Sequence, residues 1–440
     1  MRHKWIAASI LIVALIVVCG ASLFATWQGI QLARGATRGI RFTGLSPDQI
    51  SVKSKQEKTI AVDQPISLSV KTFQGNITVK TGKEGQVNVK SDITAWGNSE
   101  ADAQAALKDI TVVIDQTDQE VNVSVDQAVV VDMLHIGPRG GRVNFTITVP
   151  PDTAVKLNSV TGDLSLSGTT GDADLETEFG SLGLSDISGN VSAKSGNGKI
   201  TAQKIKAKGT ITLSSEFGGT VVVEDIQGTD ITISSSNGQL SGMKNIRASG
   251  LLKIKNSFGD IRLEDAQAKS ADIRSNNGTI DLERITVEND IIVRSDFGSL
   301  SLQEVTAKSY DLKTKNGKIN MDGGENEIIA HSDFGSVTIL NAKDATLDLS
   351  SKNGAVSFSG SLGNGPHTLH SDFGNIKVTL PSDSAFDLDL ETDFGKITSS
   401  FSITMNGSEM DSQHWHGTVN GGGASLAIDT KNGNITLSSK

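Results

Sequence analysis

The sequence predicts an all-β fold: a β-solenoid (β-helix or β-roll) of about 20-residue coils, with a small α+β N-terminal cap and one N-terminal transmembrane helix. Three observations carry this. A Ser/Thr/Asn-x-Phe/Asn-Gly unit recurs with its glycine at Gly180, Gly198, Gly218, Gly238, Gly259, Gly278, Gly298, Gly317, Gly335, Gly354, Gly374, Gly395 and Gly433, opened by Gly162, which follows Thr161 instead. Each step is 18 to 21 residues except the last, which is 38. The segments around these glycines alternate apolar and polar residues, as half-buried strands do. The residues from Ile6 to Thr26 form one nearly unbroken apolar run.

The N-terminal run comes first. Roughly 20 apolar residues span a bilayer core as a helix. Trp5 and Trp27 stand at the interfacial positions, and Arg2, His3 and Lys4 precede the run. A cleaved signal peptide has a shorter apolar stretch, although Ala21 and Ala25 leave a small-x-small site open. Val18 before Cys19 does not fit a lipoprotein signal. Residues 1–27 therefore read as an uncleaved signal anchor, with the bulk of the chain outside the cytoplasm at the cell membrane. Arg34, Arg38 and Arg41 on the far flank weigh against that orientation. Residues 28–47 read as a stem.

Residues 48–150 read as an N-terminal cap region, which a solenoid needs because its end strands expose unpaired edges. Strands are expected around Ile66–Val70 and Val121–Val125. One helix is expected from Ser99 through Ile110, with Ser99 as its cap and Ala103, Ala106, Leu107 and Ile110 as its apolar stripe. Val70, Thr72 and Gly75 already show the spacing of the later units.

Residues 151–440 form the repeats, with an irregular loop at 405–423. Taking Gly298 as the reference, Phe297, Ser295 and Val293 are expected on one face and Asp296 and Arg294 on the other. The fifth residue before each glycine is apolar and the third is always Ser, Thr or Asn, so a column of inward hydroxyls must be hydrogen-bonded. The glycine is expected to supply the backbone angle of a corner. The residue before glycine alternates between Phe and Asn, and later units carry Asp with Phe and Lys with Asn. A coil of about 20 residues stacks Asp296, Lys315, Asp333, Lys352 and Asp372 with alternating sign, while one of about 40 would stack like charges. The charges favour the shorter coil, and the alternation breaks near the end because Gly374 and Gly395 both follow Phe.

Composition narrows the function. Of 440 residues, 46 are Gly and 7 Pro, the net charge is −10, and there is one Cys and one Tyr. A negative chain is a poor nucleic-acid binder, and one cysteine leaves no disulfide framework. With aromatics at 4%, little is available for sugar-stacking platforms. No nucleophile elbow, phosphate loop, zinc spacing or calcium loop is present, so no catalytic residue, cofactor or metal is assigned. His367 and His370 are three apart and fall on opposite faces of a strand. His414, Trp415 and His416 stand out in the irregular loop as a possible partner contact. The two histidines share a face if extended, but a loop covering the last coil is the plainer reading.

The helix SEADAQAALKDI after the strand ending in Trp96, the entry TITVPPDTAVKLNSVTGDLSL and the iterated S-x-[FN]-G units resemble the bacterial putative-adhesin family of β-strand-repeat proteins, a domain of unknown function. The likeness runs over about residues 60–440. It implies a solenoid-like envelope protein and transfers no catalytic residue. The expectation is a membrane-anchored cell-envelope β-solenoid with a structural, adhesive or partner-binding role and no catalysis. Its partners would be the membrane, through one helix, and an envelope protein or glycan. The alternative is a polysaccharide lyase or hydrolase on the same fold.

Overall fold

The computed structural model describes residues 50–63, 66–127, 129–132, 135–138, 140–405 and 412–440. The anchor expected at 1–27 and the stem at 28–47 lie outside these residues. Among the described residues, no helix is long and apolar enough to cross a membrane. Residues 51–440 form one compact unit.

That unit is a parallel β-solenoid with a coil of about 20 residues. Strand Val191–Asn197 pairs in parallel with Ala173–Phe179 before it and Thr210–Ser215 after it, and Ile200–Lys206 does the same with Leu182–Ile187 and Val221–Gly228. In register, Leu175 stacks on Ala193 and Ala193 on Leu213, so each apolar position meets its counterpart one coil away. The expected inward positions are buried throughout, from Leu157 to Ile428 five residues before the expected glycine and from Ser159 to Thr430 three before it. The core runs as one cluster from Ile60 to Leu437.

The corner glycines differ from expectation in cause. Gly298 and most of its counterparts do not adopt a left-handed φ. What excludes a side chain is the neighbouring coil: a Cβ on Gly298 would lie 1.9 Å from the carbonyl oxygen of Gly278, and one on Gly335 would lie 1.9 Å from that of Gly317. In one unit the stacking glycine is Gly219 rather than Gly218. Gly219 approaches the Gly198 carbonyl, while Gly218 is an extra residue at φ +71°.

The inward hydroxyls bind these same carbonyls. Ser332 Oγ donates to the Gly317 carbonyl (2.9 Å) and accepts from the Gly335 N–H (2.9 Å). Thr314 makes the same pair with Gly298 (2.8 Å) and Gly317 (3.1 Å), and Ser351 with Gly335 (2.8 Å) and Gly354 (2.9 Å). Only a group that both donates and accepts completes this relay, which is why the position is hydroxyl-rich although buried.

A second corner lies in the strand after the glycine. Asp186, Lys204, Asp225, Asn245, Asp265, Arg284 and Glu304 take left-handed φ values between 52° and 56°. Each is followed by a buried residue, as Asp186 is by Ile187 and Glu304 by Val305. The left-handed residue breaks the strict alternation and returns the chain to the core.

Both ends depart from chain order. Ser67–Gln74 lies between Glu120–Gln127 and Ala154–Thr161, with Val70 beside Leu157 and Thr72 beside Ser159, so the early unit is a coil of the same ladder. At the other end Ala424–Thr430 is inserted between His367–Ser371 and Phe386–Thr392. Antiparallel strands follow at each end: Ile110–Thr117 on Glu120–Gln127, Gln86–Gly97 on Gly141–Val149, and His414–Val419 on Phe386–Thr392.

The helix is Glu100–Lys108, with Ser99 Oγ accepting from the Asp102 N–H (3.1 Å) and Ala103 buried. It stops two residues before Ile110. Asp109 caps it, and the β-branched run from Ile110 is a strand.

Replacing Ser332 with Ala should cost about 2 kcal/mol, because a buried carbonyl and a buried N–H both lose their partner. Ser332→Thr should be tolerated, as Thr314 fills the same role. Gly335→Ala should cost about 3 kcal/mol through overpacking. Chemical denaturation midpoints of the three variants check this ordering.

Candidate functional site

Four surface features group chemistry-bearing side chains: the Asp/Lys column, the Phe/Asn column beside it, the histidines, and the end strand carrying Trp415.

The acidic column is paired along the stack. Lys315 Nζ lies 2.7 Å from Asp296 Oδ1 and Lys352 Nζ lies 2.7 Å from Asp333 Oδ1, with both partners of each pair well exposed. Lys431, in the inserted coil, pairs with Asp372. Its hydrogen bond holds the Asp372 carboxyl below the usual range, with burial opposing. The expected break in the pattern is therefore a break in chain order only. Asn432 N–H donates to the Asp372 carbonyl and Phe394 N–H to the Lys431 carbonyl, so the spatial order is Asp372, Lys431, Asp393 and Phe373, Asn432, Phe394. This alternation of sign fits the 20-residue coil. Exposed pairs of this kind contribute little to stability each.

Phe297 does not share the inward face with Ser295 and Val293. It is 62% exposed, and its counterparts Phe179, Phe217, Phe258, Phe334, Phe373 and Phe394 are between 56% and 73% exposed. The strand Asp290–Ser295 ends before Phe297, so the period of two does not carry through the turn. The result is a line of outward rings separated by Asn, with one Phe in every second coil. Phe179 is in register with Asn197 and Phe258 with Asn277.

His414 and His416 are exposed, as expected of neighbours on one face, and Trp415 is packed partly against the core. They lie on a strand, not in a loop: His414–Val419 runs antiparallel to Phe386–Thr392, with Trp415 opposite Leu390. His414 Nε2 is 2.9 Å from Asp389 Oδ1. Among the described residues, no group of three or more His, Cys, Asp or Glu is placed to hold a metal ion. Trp415 covers the outermost coil, and the two imidazoles are presented at that end.

His367 and His370 fall on opposite sides of their strand, as the spacing requires. His370 pairs with Asp372 and Asp429 outside, whereas His367 is fully buried. The Leu347 N–H donates to His367 Nδ1 (3.3 Å), which places the proton of the neutral ring on Nε2. Burial depresses its pKa below 6.5, opposed by the nearby Gly363 backbone. Sequence reasoning missed this group as a titrating element because the register that buries it was not fixed. Asp281 is a carboxyl pushed upward by burial, with Arg262 opposing.

A family model described as Toastrack DUF4097 matches residues 64–272, 209–290 and 264–438. No curated protein matches the sequence. Two crystal structures align at 10% identity. One is of a putative cell adhesion protein from Clostridium sporogenes, covering 88% of this chain and 100% of that one with a TM-score of 0.15. The other is of a putative adhesin from Bacteroides fragilis, covering 87% and 97% with a TM-score of 0.19.

The unfolded chain binds a proton at residue 367 near pH 6.5 while the folded chain resists it to lower pH. The stability tied to a neutral His367 is therefore complete above pH 6.5 and is lost as pH falls from there toward the depressed folded value. His367→Leu should flatten the stability profile between pH 7 and pH 5 relative to the native chain, as read by thermal melting across that range.

Proposed function

We propose, on the premise that this chain belongs to the Toastrack DUF4097 family, that it is a membrane-anchored β-solenoid of the cell envelope. It works by presenting surfaces to a structural or adhesive partner and does not turn over a substrate. The carrying observation is that the two regular polar columns of the repeat are engaged within the stack. The inward hydroxyls bind corner carbonyls, and the outward acids of the later coils are matched by lysines. A glycan-cleaving solenoid needs a free acid and base facing the polymer, with carboxyls set at about 5 to 10 Å. The Asp/Lys ladder offers salt-bridged carboxylates instead.

In this reading residues 1–27 tether the chain, 28–47 are a stem, and the solenoid stands outside the cytoplasm. Residues 48–150 serve as the N-terminal cap. This is supported by Ile110–Thr117 and Gln86–Gly97, which lie antiparallel on the outer strands and occupy hydrogen bonds that a second chain would otherwise find. The opposite end, with His414 and His416 exposed around Trp415, is the partner-facing tip. An envelope protein or glycan is the expected occupant.

The expected outcome in cells is that the full chain stays with membranes through an alkaline carbonate wash, and that protease added outside degrades residues 51–440. Deleting residues 1–27 should leave the solenoid inside the cell and soluble. Protection from external protease in the native chain would reverse the topology. Release of soluble fragments from envelope polysaccharide by the purified chain would replace binding with catalysis.

A further inference from the structure

The outward Phe/Asn line is the largest regular apolar feature of the described surface, and neither tether nor tip uses it. Its seven rings, from Phe179 to Phe394, are about 60% exposed. At roughly 200 Å² per aromatic side chain they present about 800 Å² of apolar surface. Summed along the stripe, that exceeds the several hundred Å² of the largest single patch common on monomers, with an Asn between successive rings. It equals what each partner contributes to a standard interface of about 1,600 Å².

We infer that this stripe is an interface with a second copy of this chain, packed antiparallel and staggered by one coil so that each Phe enters the notch at the partner's Asn. Three arguments select this occupant. The first is period. Phe recurs every second coil, about 9.6 Å apart at about 4.8 Å per coil. Over six such steps a polymer of slightly different repeat drifts out of register, while a second copy stays matched along the whole line.

The second is symmetry. A two-fold axis lying across the stripe reverses the direction of the stack and leaves each column facing its own copy. The Phe/Asn column and the adjoining Asp/Lys column then meet their counterparts together, and the contact closes as a dimer. A two-fold along the stack would swap the columns from side to side.

The third is charge, which rules out the unstaggered pairing. With Phe297 opposite the partner's Phe297, Asp296 meets its own copy, Glu216 meets the partner's Asp372, and Glu178 meets the partner's Asp393. Such like-charge encounters are unfavourable. A shift of one coil centres the axis between Phe297 and Asn316. Asp296 then meets the partner's Lys315, Glu216 meets the partner's Lys431, and no acid faces an acid. The same shift places six of the seven rings against an Asn and leaves Phe179 overhanging the partner's end; Asn237, Asn316 and Asn353 are exposed to receive a ring.

Zero-length carbodiimide coupling of the full chain in native membranes, read by peptide mass spectrometry, tests this. Glu216 and Lys431 are nine coils apart in one copy, about 43 Å, so a Glu216–Lys431 link forms only between antiparallel copies. We expect that link in the native chain. It should fall at least tenfold in the variant Phe258→Ser/Phe297→Ser/Phe334→Ser, while the intrachain Asp333–Lys352 link persists as a sign of a folded stack. Should that intrachain link also vanish, Asn316→Trp decides. It adds bulk where the partner's Phe297 enters and should cause the same tenfold loss without removing apolar surface. Absence of the Glu216–Lys431 link in the native chain, or an unchanged yield in both a folded triple variant and Asn316→Trp, overturns the proposal.

Discussion

The stack is held in register by a three-part relay at its corner: a glycine N–H, an inward hydroxyl, and the glycine carbonyl of the adjacent coil. Ser332 joins Gly335 to Gly317, and Ser351 joins Gly354 to Gly335. The carbonyl that accepts this bond occupies the space where a side chain on the next glycine would go. Close approach and polar satisfaction are therefore one constraint. A larger residue would push the coils apart, and an apolar residue at the hydroxyl position would leave two buried backbone groups unpaired. The apolar ladders above and below supply cohesion, but they tolerate Ala, Val, Leu and Ile alike. The relay defines which residue lies over which.

A parallel stack has a termination problem, since its last strand exposes a full row of backbone donors and acceptors. The chain deals with it at both ends in the same way. It lays down an outer coil, turns back with antiparallel strands, and at the C-terminal end slots its final coil inside. The strand Ala424–Thr430 thus has a partner on each side. The insertion also restores the charge order, since Lys431 enters between Asp372 and Asp393. A coil added outside instead would have left two acidic, Phe-bearing coils in contact.

These constraints bear on function through what they leave outside. The inward hydroxyls of the repeat are engaged with backbone, although Thr169 Oγ1, Asn256 Oδ1 and His367 Nε2 are buried without a partner, and many outward charges are paired along the stack. Among the described residues, what these constraints leave outside includes a line of phenylalanine rings and an end strand with two exposed histidines, one of them paired with Asp389. A surface of this kind suits association, and its regular spacing favours a partner with the same spacing.

The sequence by itself determined the solenoid, the buried aliphatic positions and the hydroxyl column, because stacking identical units forces each to carry the same residues at the same offsets; its charges favoured a 20-residue coil over one of 40, which the parallel register then decided. Ser99 as a helix cap was legible for the same local reason. The tertiary structure alone decided the outward direction of the Phe column, since a period of two ends where the strand turns. It also decided the second corner. A left-handed bend filled by Asp, Lys, Asn, Arg or Glu leaves no composition to read, only a backbone angle. The insertion of the final coil was likewise invisible in one dimension. Chain order and stacking order coincide only where each coil is laid on the one before, and a strand placed between two earlier neighbours is recognised only by the hydrogen bonds on its two edges.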